Sequence, residues 1–206
     1  MNVVFDFGGV VFNWQPKVLL RQVLPRHAPS DEAAQQLATQ LFQGFAPGSD
    51  WALFDLGQIE PDALALRIAT RTGLAVAEVA AVISAIPPHL VPNPGTVALM
   101  HDLHAAGHTL YYLSNMPASY ADELERSHAF FNAFTAGVFS ARVQQIKPNA
   151  DIFATASALF GVEGKDTVFI DDVRHNIEAA QRHGWHGVHF QSAEQVRAEL
   201  ALRWPP

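Results

Sequence analysis

The stretch that most constrains this chain is residues 2–12, N-V-V-F-D-F-G-G-V-V-F, an apolar run broken by one aspartate and two glycines. An unpaired carboxylate is costly to bury, so the run reads as a buried strand that ends in a functional turn at Asp6. Val3, Val4 and Phe5 complete the strand, and ligands of open α/β sheets gather beyond the carboxyl ends of parallel strands. Gly8 and Gly9 then permit a sharp turn with peptide groups exposed beside the carboxylate. Taken alone, Asp6 reads equally well as a turn residue capping the next segment. The remainder of the chain has to decide between the two.

After Phe12 the pattern changes. Asn13, Trp14, Gln15 and Pro16 break the strand, and the spacing then predicts helices over 17–24, 30–45, 61–73 and 75–86, with Ser30 or Asp31 as an N-cap. No convincing strand occurs between Trp14 and Pro92. Pro87-Pro88 and Pro92-Asn93-Pro94 end this helical composition, so residues 15–92 read as an all-helical cap inserted after the first strand. Residues 1–14 and 93–206 then form the core, where strands and helices alternate. Strands are predicted at 109–113, 136–139, 167–170 and 187–190, and helices at 96–106, 118–127, 151–160, 174–183 and 193–203. That order implies right-handed crossovers. The fold class is therefore α/β, a Rossmann-like, mostly parallel sheet with helices on both faces.

A length of 206 residues suits one sizeable core with a smaller insert better than two full domains. A formal charge of -7 with no run of Lys or Arg argues against a nucleic-acid surface. No window approaches the roughly 18 apolar residues of a membrane span. The chain has no cysteine, which removes disulfides, thiolate metal sites and cysteine nucleophiles. With an N-terminus unlike a signal peptide, the expected location is cytoplasmic. The sequence is silent on oligomeric state.

The residues just beyond each predicted strand decide the reading of Asp6. Ser114 and Asn115 come after the second strand, Asp171 and Asp172 after the fourth, and Lys147-Pro148 precedes the 151–160 helix. Singly, these are turn residues, a helix N-terminal charge pair and a surface lysine. Together they place three carboxylates, a hydroxyl, an amide and an ammonium on one rim. Such a set suits phosphoryl transfer. Asp6 would attack phosphorus as a carboxylate nucleophile. Asp6, Asp171 and Asp172, with a backbone carbonyl of the glycine turn, suit Mg²⁺. Lys147 and the Ser114 hydroxyl would hold the phosphoryl oxygens.

In their order, Asp6-Phe-Gly-Gly-Val, Leu113-Ser114-Asn115, Lys147-Pro148 and Phe169-Ile-Asp171-Asp172 resemble the four motifs of the haloacid dehalogenase superfamily, mostly Mg²⁺-dependent phosphatases. The resemblance spans the whole chain, helical cap included. It implies Asp6 as nucleophile, Ser114 and Lys147 as phosphoryl ligands, and Asp171 as the direct metal ligand with Asp172 near it. The glycine-containing opening also resembles a branch of small bacterial phosphatases that includes α-D-glucose-1-phosphate phosphatase, which points to a small phosphorylated metabolite such as a sugar phosphate.

One departure matters. Family phosphatases carry a second aspartate two residues after the nucleophile as leaving-group acid and water-activating base; here Gly8 stands there, leaving only a backbone carbonyl for metal. A positioned general acid is worth about 10²–10⁴-fold. Its loss keeps two alternatives open: a protein that binds a phospho-ligand without turnover, and a 2-haloacid dehalogenase. The Asp171-Asp172 pair argues against the second, since halide displacement has no evident use for metal. Trp51 and Phe54, among the cap's breakers, are candidates for a loop over the substrate, and Met116 and Tyr120 for the pocket border. His101, His104 and His108, and His183, His186 and His189, lack a nearby carboxylate or thiolate partner pattern and read as solvated histidines.

Overall fold

The computed structural model describes residues 1–203. Five parallel strands form one sheet: β1 (Asn2–Phe5), β2 (Thr109–Ser114), β3 (Ala136–Phe139), β4 (Thr167–Asp171) and β5 (His186–His189), in the order β3-β2-β1-β4-β5. β1 is central, with Val3 level with Leu110 on one side and Val168 on the other.

The period of two along each strand divides the side chains between two cores. Val3, Phe5, Leu110, Tyr112, Val168 and Ile170 enter one cluster; Val4, Tyr111, Leu113 and Phe169 enter the other. On the first face lie α6 (Pro94–Ala105), α7 (Ala118–Ser127) and α11 (Ala193–Arg203); on the second lie α9 (Ala150–Phe160) and α10 (Arg174–Arg182). A sheet covered on both sides needs strands apolar on both sides, which is why these strands read as nearly unbroken apolar runs.

Between β1 and α6 stand α1 (Pro16–Val23), α2 (Asp31–Phe42), α3 (Asp50–Asp55), α4 (Pro61–Thr72) and α5 (Val76–His89). Their starts are built locally. The Ser30 and Ser49 hydroxyls accept from Ala33 and Ala52 N–H groups, while Pro16 and Pro61 occupy first-turn positions where no N–H is required. The chain enters and leaves this insert side by side: Asn13 N–H donates to the Val91 carbonyl at 2.9 Å and Asn93 N–H to the Val11 carbonyl at 2.7 Å.

Two local expectations are corrected. The pair Pro87-Pro88 does not end α5, which continues to His89. Pro87 lacks the N–H that would bond the Ile83 carbonyl. The Tyr120 hydroxyl of α7 donates to that carbonyl instead, at 2.7 Å, so the helix passes the proline without an orphaned acceptor there. Second, the aromatic stretch around Trp51, expected as irregular chain, contains α3, whose Ser49 cap and buried Trp51, Ala52 and Phe54 make a short packed helix. One further short helix, α8 (Ser140–Val143), continues directly from β3.

Candidate active site

The carboxyl ends of β1, β2 and β4 converge. Asp6 continues the central ladder, its N–H donating to the Ile170 carbonyl at 2.9 Å, so its side chain leaves the sheet at the rim. Lys147 Nζ lies 2.8 Å from Asp6 Oδ1 and 2.7 Å from Asp171 Oδ2, and all three residues are buried. The Ser114 hydroxyl, at the end of β2, is near enough to Asp6 to favour its charged form. One ammonium thus bridges the nucleophile candidate and the carboxylate that ends β4.

Each member of this group is fixed by a second contact. Asn115 accepts from Lys147 N–H at 2.9 Å and donates through Nδ2 to the Lys147 carbonyl at 3.1 Å, so both ends of its amide hold the lysine backbone. Asn115 therefore acts in this structure on Lys147. Asp171 accepts from the Val173 N–H at 2.7 Å and from Asn176 Nδ2 at 3.2 and 3.0 Å, which leaves its carboxylate little rotational freedom. Asn176, on the first turn of α10, carries no sequence signal of its own.

Asp6, Asp171 and Asp172 each offer a carboxylate oxygen, and these atoms lie within 4.8 Å of one another. Gly9 makes that approach possible. It has φ +79°, and a Cβ placed on it would stand 2.4 Å from Asp172 Oδ2. Gly8 differs: a Cβ there meets no atom within 4 Å, so the space of the missing side chain is open.

The charges respond to crowding. Burial pushes Asp6 up to about 6; Lys147 opposes that shift and Asp171 adds to it. Asp172 is open to solvent on one side, yet partial desolvation, then repulsion from Asp6 and Asp171, raises it to about 7. Burial alone would depress Lys147, but Asp171 and Asp6 more than reverse this, and the ammonium is held above its ordinary value. Three carboxylates facing one ammonium leave the centre with excess negative charge. An anionic substrate requires a cation there.

The cap contributes a residue that follows no strand and so escapes the strand-end reading of the sequence. Asp55, the last residue of α3, is buried, and its carboxyl group has no hydrogen-bond partner among the described residues. Its backbone carbonyl accepts from the Ser140 hydroxyl of α8, and that same oxygen accepts from the Met116 N–H at 2.9 Å, two residues beyond Ser114. Burial raises Asp55 to about 8; Lys147 opposes the shift and Asp6 adds to it, which places Asp55 within electrostatic reach of both. Trp51 and Phe54, on the same helix, pack elsewhere. Trp51 lies edge-on to Phe42 inside the cap at 4.9 Å and Phe54 edge-on to Tyr120 of α7 in the core at 5.5 Å, while the carboxyl group beside them is within electrostatic reach of the centre. Met116 and Tyr120 are buried at this same cap-to-core seam.

Sheet and site together define an α/β protein with an acid-rich centre at its strand ends. The family model for haloacid dehalogenase-like hydrolases matches residues 1–184, and the chain belongs to that family. It is 26% identical over 198 residues to the sesquiterpene phosphatase astK of Aspergillus oryzae, covering 96% of this chain and 93% of that protein. Among solved structures, it resembles the HAD family enzyme bt-2542 of Bacteroides thetaiotaomicron in complex with magnesium and inorganic phosphate. The TM-score is 0.69 at 19% identity, over 93% of this chain and 94% of that one. It also resembles the L-2-haloacid dehalogenase of Xanthobacter autotrophicus with chloropropionic acid covalently bound, with TM-score 0.69 at 18% identity, over 100% of this chain and 84% of that one. At such identities the two structural likenesses show the fold.

Proposed function

We propose that this chain is a Mg²⁺-dependent phosphatase that hydrolyses a small phosphorylated metabolite through an aspartyl-phosphate on Asp6. The observation that carries the reading is the Asp6 carboxylate, held by Lys147 with oxygens of Asp171 and Asp172 inside a 4.8 Å cluster. The donor set fits a hard cation, since it is all oxygen and over-supplied with negative charge. Asp6, Asp171 and Asp172 would hold it, with the Gly8 carbonyl as a further oxygen. When bound, Mg²⁺ supplies positive charge that lets an anionic phosphoryl group approach an anionic nucleophile.

The side chains divide the rest of the work. Asp6 Oδ attacks phosphorus in line with the departing oxygen, and Lys147 and Ser114 hold phosphoryl oxygens where transition-state charge is spread. Asn115 and Asn176 keep Lys147 and Asp171 in place, so less reorganisation is needed as charge moves. The phosphatase relative astK supports this reading over halide displacement.

The test is release of inorganic phosphate by purified protein, with Mg²⁺ and with chelator, across sugar phosphates, prenyl phosphates, acyl phosphates and p-nitrophenyl phosphate. Prenyl phosphates belong in the panel because the curated relative is a sesquiterpene phosphatase. Mg²⁺-dependent turnover is expected. Inactivity on the whole panel together with metal-independent chloride release from a 2-haloacid would refute the proposal.

A further inference from the structure

Gly8 leaves the proposed reaction without a leaving-group acid, and the position it vacates is open space. We propose that Asp55, delivered by α3 of the cap, is the proton donor to the leaving group and then the base for the hydrolytic water. This assignment rests on the phosphatase reading and adds a residue to it.

Placement is the first support. Asp55 is buried at the end of a helix docked on the core at α8, beside the loop that carries Met116 and follows Ser114 at the end of β2. Gly57 lets the chain come this close: it has φ +68°, and a Cβ on it would stand 3.1 Å from the Ala141 carbonyl. The Ser140 hydroxyl fixes the Asp55 backbone to the same oxygen that holds Met116. The carboxyl group itself makes no hydrogen bond among the described residues, which is how a group kept for a substrate's oxygen would stand.

Chemistry is the second. The charged and titratable groups whose fields meet Asp55 are Lys147 and Asp6 from the core, and Tyr120 from α7, whose hydroxyl is occupied with Ile83. None of them bonds the Asp55 carboxyl. Its pKa of about 8 keeps it a neutral acid at pH 7, the state required for donation. As the Asp6 oxygen–phosphorus bond forms, the phosphorus–oxygen bond to the alcohol breaks, and the Asp55 proton passes to that departing oxygen. In the second half, Asp55 carboxylate takes a proton from the water whose oxygen bonds phosphorus. The aspartyl–phosphorus bond breaks, inorganic phosphate leaves, and Asp55 is protonated again.

The experiment compares β-glycerophosphate, with a poor alkoxide leaving group, and 2,4-dinitrophenyl phosphate, which departs unaided, both with Mg²⁺. For Asp55→Asn, kcat/KM on the alkyl ester should fall about 10²–10⁴-fold while the aryl ester changes no more than about threefold. Adding Gly8→Asp to Asp55→Asn should restore part of the alkyl activity. In the wild type, the alkyl ester alone should show a loss of rate as pH rises through the Asp55 pKa, a measurement that needs no substitution. Equal losses on both esters, or none on the alkyl ester, would overturn the assignment while leaving the phosphatase reading intact. A wild type inactive on both esters and on the whole phosphate panel removes the phosphatase reading and this one with it; activity elsewhere in the panel moves the same comparison to the alkyl and aryl esters that are turned over.

Discussion

The pattern Phe-Asp-X-Gly occurs at Phe5–Gly8 and again at Phe54–Gly57, and the two aspartates meet different surroundings. Asp6 follows a strand and Asp55 ends a helix, with exposures of 6% and 5%. Desolvation is the largest influence on both. Lys147 sits 2.8 Å from Asp6, whereas Asp55 feels the same ammonium without bonding it, and their pKa values are about 6 and about 8. Burial alone does not assign a carboxylate its chemistry; the placement of one counter-charge separates the proposed nucleophile from the proposed acid. The glycines diverge as well. Gly57 lets α3 press on the core, while Gly8 leaves room for what Asp55 is proposed to supply.

The sharpest way to break this comparison is Asp6→Asn, which keeps the shape and removes the proposed nucleophile. Phosphate release should fall by on the order of 10⁵-fold or more in steady-state assays, a loss that no aspartate elsewhere can cover. Next is Lys147→Met, which makes the surroundings of Asp6 like those of Asp55. The expected result is a loss of about 10²–10³-fold in kcat. Removing the ammonium also leaves buried carboxylates uncompensated, and denaturant titration should register destabilisation of about 3–5 kcal/mol.

Ser140→Ala cuts the tether of Asp55 and removes the acceptor of Met116 N–H. It should cost about 1–3 kcal/mol of stability and lower activity more on alkyl than on aryl phosphates. Last is the pH dependence of stability, which is spread over several pH units. Folded Asp55 keeps its proton up to about pH 8, whereas the unfolded chain releases it near pH 4, so the folded state binds more protons between those values. Stability from this group is complete below pH 4 and declines as pH rises through the window. Asp55→Asn lacks that decline. Its melting temperature should match or trail the wild type near pH 4 and exceed it by pH 8, with a gap no larger than about 1.4 kcal/mol per pH unit.

Much of the fold and the core of the site were legible because both are written in local contrast. Val3–Phe5 before Asp6, Tyr111–Leu113 before Ser114 and Val168–Ile170 before Asp171 are apolar runs cut by a polar residue, and such cuts mark strand ends. The helix at Ala118–Ser127 and the strand at Ala136–Phe139 have the bounds their periodicity predicts. What escaped depends on partners distant in sequence. Ser140 and Asn176 matter only through Asp55, Met116 and Asp171. Pro87 continues its helix only because Tyr120 is present. Asp55 was hidden differently: Gly44, Pro47 and Gly48 mask the Ser49 cap, and the neighbouring Trp51 and Phe54 draw attention to rings that pack inward.

The side-by-side linkers, Asn13 on Val91 and Val11 on Asn93, make the insert's attachment a narrow ribbon in place of two independent tethers. A ribbon bends across its flat face far more easily than it shears or swivels. A rocking of the insert about this ribbon would be the motion that separates Asp55 from Asp6. With Asp55 as the proposed proton source, the centre would be complete only while the insert is docked on the core, so bulk water and an enclosed substrate would not be offered the same acid.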